Sequence, residues 1–307
     1  MIRSFTIINH LGDVLVLELA SPEKSGLLVD SVTGLGQVGA KINSSKIAGS
    51  DYSVVNSAYL GERNIVFKIK YVGNDAEEDE DLTDKMFPTK TTVAIICKTD
   101  LVEVYTQGTV EKNEPTIFSD KADGAGCQIS IMCPDPYWYE LDNVSTPFGG
   151  IEPLFEFPFH SDIEGFGNDK IEFGNIRLIK ETSIYYTGEA DVGVTISIHT
   201  LGPVKDLVIY NLDQRKQLPL SDDIIEDITG SGIIQGDTIV ISTVRGEKYA
   251  TLTRNGITYN ILNALAVNKI IQWFELVRGD NLLAYSASEG EYDMVMDIKH
   301  RIAYKGI

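Results

Sequence analysis

The residues best able to do chemistry are few, and each set fails a test of spacing. Gly34-Leu35-Gly36-Gln37-Val38-Gly39 matches the G-x-G-x-x-G fingerprint. That loop grips a dinucleotide pyrophosphate only between a strand and a helix, where amides and helix dipole converge. Leu27-Leu28-Val29 can supply the strand, but Ala40 to Ser50 has no sustained 3.6-residue apolar face and meets Gly49 before three turns are complete. No βαβ pattern follows, so the stretch reads as a flexible glycine loop between strands. Cys97, Cys127 and Cys133 include no CxxC pair and have no histidine at ligand spacing; they read as buried thiols, not as a zinc site or a disulfide framework. His10, His160, His199 and His300 are scattered, and there is no G-x-S-x-G elbow or H-E-x-x-H helix. Acid pairs such as Asp222-Asp223, or Glu152 with Glu156, carry no information in a chain with 45 acids, so no glycosidase pair emerges. Trp138 and Trp273 can stack on sugars, though each lies beside apolar residues as a core or interface anchor does. The sequence predicts no catalytic residue, no cofactor and no metal.

Composition narrows the classes further. A chain of 307 residues is long enough for two cores. Its net charge of −19 argues against nucleic acid as a ligand, because phosphate binding needs clustered Lys and Arg. The same acidity serves solubility and holds off premature association. No apolar run approaches the ~18–20 residues that span a bilayer, so membrane insertion is not expected. Met1-Ile2-Arg3-Ser4-Phe5-Thr6 lacks the pattern of a signal peptide, and synthesis in a cytoplasm is the expectation.

Alternation dominates the elements. Val14–Leu19, Asn64–Ile69, Thr91–Ile96, Val102–Thr106 and Gln128–Met132 read as strands. One helix interrupts them. Asp75 to Asp81 places six acids in seven residues, where a helix N-terminus favours negative charge. Leu82, Met86 and Phe87 give it an apolar face and Pro88 ends it. The acidic run reads as a solvated helix start. Further on, Asp237–Thr243 and Lys248–Thr253 are strands, and Asn255-Gly256 is a two-residue hairpin signal into Ile257–Asn260. Short strands at regular spacing suggest a sandwich. A short helix is predicted at Ser221–Ile228, capped by Ser221 and stopped near Gly230.

Between the two β regions stands Cys133-Pro134-Asp135-Pro136-Tyr137-Trp138-Tyr139. Two prolines one residue apart fit neither a helix nor a central strand, and three aromatics carry more apolar area than a linker needs. One folded unit ends here and its exit is anchored.

The order of features resembles the distal tail protein family of long-tailed phages and prophages. The most specific part runs from Asn113 to Trp138, with Pro115, Phe118 and the segment Cys133, Pro134, Asp135, Pro136, Tyr137 and Trp138. Before it come Tyr59-Leu60-Gly61-Glu62-Arg63-Asn64-Ile65 and a helix ending at Met86-Phe87-Pro88. After it come Trp273-Phe274-Glu275-Leu276 and Arg278-Gly279-Asp280-Asn281-Leu282, with Gly279 and Asn281 as motif positions.

The resemblance implies a mainly β protein. Residues 1–139 are expected to form a tail-tube-like β-barrel with one helix, building a homohexameric ring. Residues 140–307 are expected to form a galectin-like β-sandwich. It implies a non-enzymatic structural hub of the virion tail tip, assembled in the host cytoplasm. Partners would be other copies of itself, the tail-tube protein, the tail-associated hub protein and receptor-binding proteins; the net charge of −19 in turn suits a ring channel through which DNA slides without sticking. The alternative is a carbohydrate-binding host-adhesion module acting through the C-terminal sandwich, although no galectin sugar motif is present there.

Overall fold

The alternation that marks this sequence as β is the alternation of its burial. In β1 (Ile2–Ile8), Phe5 and Ile7 face inward, and in β2 (Val14–Glu18), Leu15 and Leu17 do, which is the two-residue period of a strand. The computed structural model describes residues 1–49, 51–73, 75–117, 125–148, 150–153, 174–177, 180–266 and 270–307. They divide into two compact units, Met1–Asp142 with Ala303–Ile307, and Asn143–Ile302. The chain is mainly β in both.

The first unit continues with β3 (Leu27–Thr33), β4 (Ala40–Lys46), β5 (Ser53–Leu60), β6 (Arg63–Tyr71), α1 (Ala76–Met86), β7 (Thr92–Thr99), β8 (Glu103–Ile117), β9 (Ala125–Cys133) and β10 (Trp138–Glu140). Its main sheet runs β2-β1-β7-β8-β9-β6-β3. The end strands β2 and β3 approach each other, yet no ladder joins them. The sheet is consistent with the expected barrel, with one seam unladdered among the described residues. Phe5, Phe67, Ile95, Ile131 and Trp138 lie in its core, with Phe5 edge-on to Phe67 at 5.2 Å between centroids. Each such fully buried side chain contributes about 1.5–3 kcal/mol.

The helix starts as its acids predict, since the Asp75 carboxylate accepts from the Glu77 amide at its N-cap. Met86 and Phe87 are buried as expected and Leu82 packs on the core, but the buried face extends further. Asp79, Thr83 and Met86 turn inward, so one acid of the run is not solvated. The Asp79 carboxylate lies over Gly26 and Gly73 and accepts from the Gly73 amide at 2.9 Å.

The second unit holds β11 (Val144–Pro147), β12 (Gly150–Pro153), β13 (Gly174–Arg177), β14 (Glu181–Tyr186), β15 (Thr195–Thr200), β16 (Val208–Asn211), β17 (Lys216–Pro219), α2 (Asp222–Thr229), β18 (Thr238–Ser242), β19 (Tyr249–Arg254), β20 (Ile257–Asn260), β21 (Gly279–Ser286) and β22 (Met294–His300). A six-stranded sheet, β11-β22-β15-β18-β19-β20, faces a four-stranded one, β14-β21-β16-β17. Ile196, Ile239, Leu252 and Met296 of the first are buried, as are Ile184, Ile209, Leu218 and Leu283 of the second. Ring contacts bridge the sheets, Tyr186 to His300 at 5.7 Å and Phe148 to Tyr285 at 5.1 Å. This is the predicted sandwich. Asn255 and Gly256, with φ of 52° and 81°, form the predicted hairpin turn.

By its contacts the chain divides after Asp142. A short strand, β23 (Ala303–Tyr304), pairs with β10, Trp138 opposite Tyr304, so residues 303–307 return to the first unit.

His300 makes the second unit sensitive to acid. It is buried, its Nδ1 has no hydrogen-bond partner, and burial lowers its pKa below the ordinary 6.5. A lowered histidine pKa means that the unfolded chain takes up the proton first. Stability is thus complete above about pH 6.5 and falls as the pH drops below it. The unfolding midpoint of this unit is expected to fall between about pH 7 and pH 5, and calorimetry of His300→Phe should show a flatter dependence across that window.

Candidate functional site

Arg63 opens β6 on its inward face. The strand alternates, and Arg63 shares parity with Ile65, Phe67 and Ile69, all buried. A fully buried cation must be paired or hydrogen-bonded, and Arg63 is satisfied by carbonyl oxygens alone. Its Nε and Nη2 donate to Pro136 O at 3.0 and 2.6 Å, and Nη2 also to Lys305 O at 2.7 Å. Its Nη1 donates to the carbonyls of Gly34, Leu35 and Gly36 at 2.5, 3.2 and 2.7 Å. The guanidinium lies 5.4 Å from the centre of the Trp138 ring, a cation–π contact. Burial pulls its pKa below the ordinary arginine value, and it remains a cation.

This cage explains the motif between the two β regions. Pro134 and Pro136 turn the chain between β9 and β10, where no ladder needs their missing donors. Asp135 holds the turn, accepting from the Tyr137 amide at 3.1 Å and the Tyr139 hydroxyl at 2.7 Å. Trp138 is fully buried beneath Arg63. Cys133 is buried as well, and burial pushes its thiol up to about 11. Cys97 is pushed to about 12 by burial, and Cys127 is also raised. All three are free and, as buried neutral thiols, unreactive.

The glycine loop is the far wall of the cage. Gly34 has φ +85°, and a Cβ there would lie 1.9 Å from Asn64 O. The loop joins two strands, and β4 rather than a helix follows it, so the dinucleotide reading has no helix to act through. Beyond it projects a feature that the sequence reading missed.

Among the described residues β4 and β5 pair only with each other, and residues 39–59 are exposed wherever described. Register sorts their side chains into two faces, because paired residues share a face and neighbours alternate. One face is polar. Lys41 lies 6.0 Å from the Tyr59 ring centre, Asn43 donates to Ser57 at 3.0 Å, and Asn56 at the bulge donates to Ser45 at 2.7 Å. The other carries Ala40 with Leu60, Ile42 with Ala58, and Val55 with Ser44, and ends in Lys46 with Ser53. Ile42 is 61% exposed and Val55 60%. This is an amphipathic ribbon with no core beneath it.

The remaining motif positions do not converge on the cage. Pro115 lies on β8 opposite Cys127, beyond Thr109 where the ladder to β7 ends, so its missing donor faces no strand. Phe118 lies outside the described residues, as do His160 and Glu156. Gly279, with φ +103°, and Asn281 belong to the second unit. Buried Asn281 accepts from the Val277 amide at 2.9 Å and donates to the carbonyls of Val277 and Gly279 at 2.7 and 2.9 Å. Trp273 has the Lys248 ammonium 5.4 Å from its ring centre. No group of three or more His, Cys, Asp or Glu among the described residues is placed to hold a metal ion.

No protein-family profile and no curated protein matches the sequence. Solved structures do match the fold. The phage SPP1 Dit protein, described as a paradigm of the hub adsorption apparatus in phages infecting Gram-positive hosts, is 16% identical with a TM-score of 0.64, covering 97% of this chain and 98% of that one. A chain of the phage P2 baseplate, in its activated conformation with Ca, is 14% identical with a TM-score of 0.52 over 100% of both chains. The same baseplate with Sr gives 14% and 0.51, over 97% and 98%. Over nearly its whole length, this chain has the fold of the phage Dit proteins.

Proposed function

We propose that this chain is a structural hub protein of a phage tail tip, self-assembling into a six-membered ring. In this reading the unit of residues 1–142 and 303–307 builds the ring, and the sandwich of residues 143–302 is carried by it. The ring joins the tail tube to the tail-associated hub and receptor-binding components, at the distal end of the virion tail. The fold supports the family; the observation that carries self-assembly is the β4–β5 hairpin. An isolated two-stranded ribbon is marginal in water, and this one holds Ile42 and Val55 out to solvent. Such a face marks an interaction site.

The test is solution mass by light scattering, with negative-stain images of the same fraction. A six-membered ring with a central hole is expected. Ile42→Asp with Val55→Asp should give a monomer of unchanged thermal stability, since burying two charges costs several kcal/mol per ion while the free chain leaves both in water. A monomeric parent chain that retains wall saccharides on a glycan array would overturn the hub in favour of the adhesion module.

A further inference from the structure

The hairpin's apolar face has a counterpart on the same unit. Across the ladders of β2, β1, β7 and β8, the side turned from the core presents two rows. One is Val14, Ile8, Ala94 and Gln107; the next is Val16, Thr6, Ile96 and Tyr105. None of the eight is charged. Val14 is 59% exposed and Val16 44%. The flanking row of Glu18, Ser4, Lys98 and Glu103 is charged, but Lys24 pairs with Glu18 and Lys98 with Glu103, so this fence needs no outside partner. Half-exposed apolar rows on a sheet face are ordinarily covered.

We propose that the hairpin of one copy lays its apolar face across these rows on the next copy. The inference rests on the ring reading above and names the two surfaces that meet. Three observations select a second copy as the occupant. Size agrees: four strands span about 14 Å at ~4.8 Å spacing, and the stripe from Ala40 to Ser44 along β4 is about 14 Å at ~3.4 Å per residue. Charge agrees too. In a chain of net charge −19, copies repel wherever acids dominate, yet residues 38–60 hold Lys41 and Lys46 against the single acid Asp51. The receiving rows hold no acid at all. Geometry agrees as well, because two different patches joined head-to-tail form a heterologous contact, the kind that closes into rings.

The experiment uses the full chain carrying Ile42→Cys and Val16→Cys together, oxidised and separated without reductant. The native thiols are buried and free, so a disulfide requires the two new ones within about 4.5 Å of each other at Cβ. A covalent ladder ending at six copies is expected, with no ladder from either single substitution. Both positions are exposed, so folding is preserved. Intact rings without a ladder, in this pair and in Val55→Cys with Val14→Cys, would overturn the receiving face while leaving the ring standing. A ladder from Ile42→Cys alone would overturn it too, as a hairpin-to-hairpin contact. A monomer by light scattering would sink the ring reading and this inference with it.

Discussion

Replacing Arg63 by Met should lower the unfolding midpoint of the first unit by roughly 10–15 °C, the equivalent of about 4 kcal/mol. The side chains are similar in length, so packing on Trp138 is largely kept and the loss isolates the guanidinium. Six charge-assisted bonds to five carbonyls disappear, each worth about 1.5–3 kcal/mol net. The sum overstates the effect, because removing a buried cation also recovers its desolvation cost, and Leu35 O retains the Ile307 amide. The carbonyls of Gly34, Gly36, Pro136 and Lys305 are the decisive loss. They belong to three segments distant in sequence, and no apolar side chain can satisfy them. Lysine should recover less than half of the deficit, since its three donors leave one point and cannot reach a planar ring of acceptors. Calorimetry of the full chain checks this, with the transition of residues 143–302 unmoved. A shift below about 3 °C would mean that water replaces the guanidinium.

Arg63 also marks the limit of what the sequence discloses. Strand existence was legible wherever apolar residues alternate, as in β6, β7, β9 and β18, because one buried face writes its period into the chain. The cue to Arg63 was present: in Arg63-Asn64-Ile65-Val66-Phe67 the arginine shares parity with the buried residues. A charged residue on an inward position signals a cage, and parity alone could have found it. Its acceptors could not be found, because they are backbone carbonyls. The hairpin was hidden for a different reason. Asn43-Ser44-Ser45 and Ser53, Asn56 and Ser57 are poor strand formers, and with no core below them their apolar positions follow an outside surface. Asp79 reads as solvated because an acid in a helix's first turns usually is. It is buried only because Gly26 and Gly73, far apart in sequence, leave room for it. Residues 303–304 are too few for any period, so the return of the chain to β10 is visible only in the fold. Asp135, Pro136 and Trp138 were legible as an anchored exit, while what anchors them was not.

The second unit has an arginine paired with a buried acid, and its removal should act by the opposite mechanism. Arg254→Met is expected to cost about 3–5 kcal/mol, lowering the midpoint of residues 143–302 by roughly 10 °C. Here the partner is a carboxylate. Arg254 Nε and Nη2 meet Asp237 at 2.8 and 2.6 Å, and Asp237 is fully buried. The same guanidinium reaches Ser231 Oγ at 2.6 Å and Gly232 O at 2.8 Å, tying the loop after α2 to β19. Without it, Asp237 keeps the Ile234 amide at 2.9 Å, which is too little for a charge out of water. Where losing Arg63 strands neutral carbonyls, losing Arg254 strands an anion, and that difference can be measured. Adding Asp237→Asn to Arg254→Met should restore part of the loss, because the amide still accepts from Ile234 and carries no charge. Calorimetry of Arg254→Met with and without Asp237→Asn separates the two mechanisms. If Asp237→Asn deepens the Arg254→Met loss instead, the pair acts through the geometry of the loop after α2, not through compensated charge.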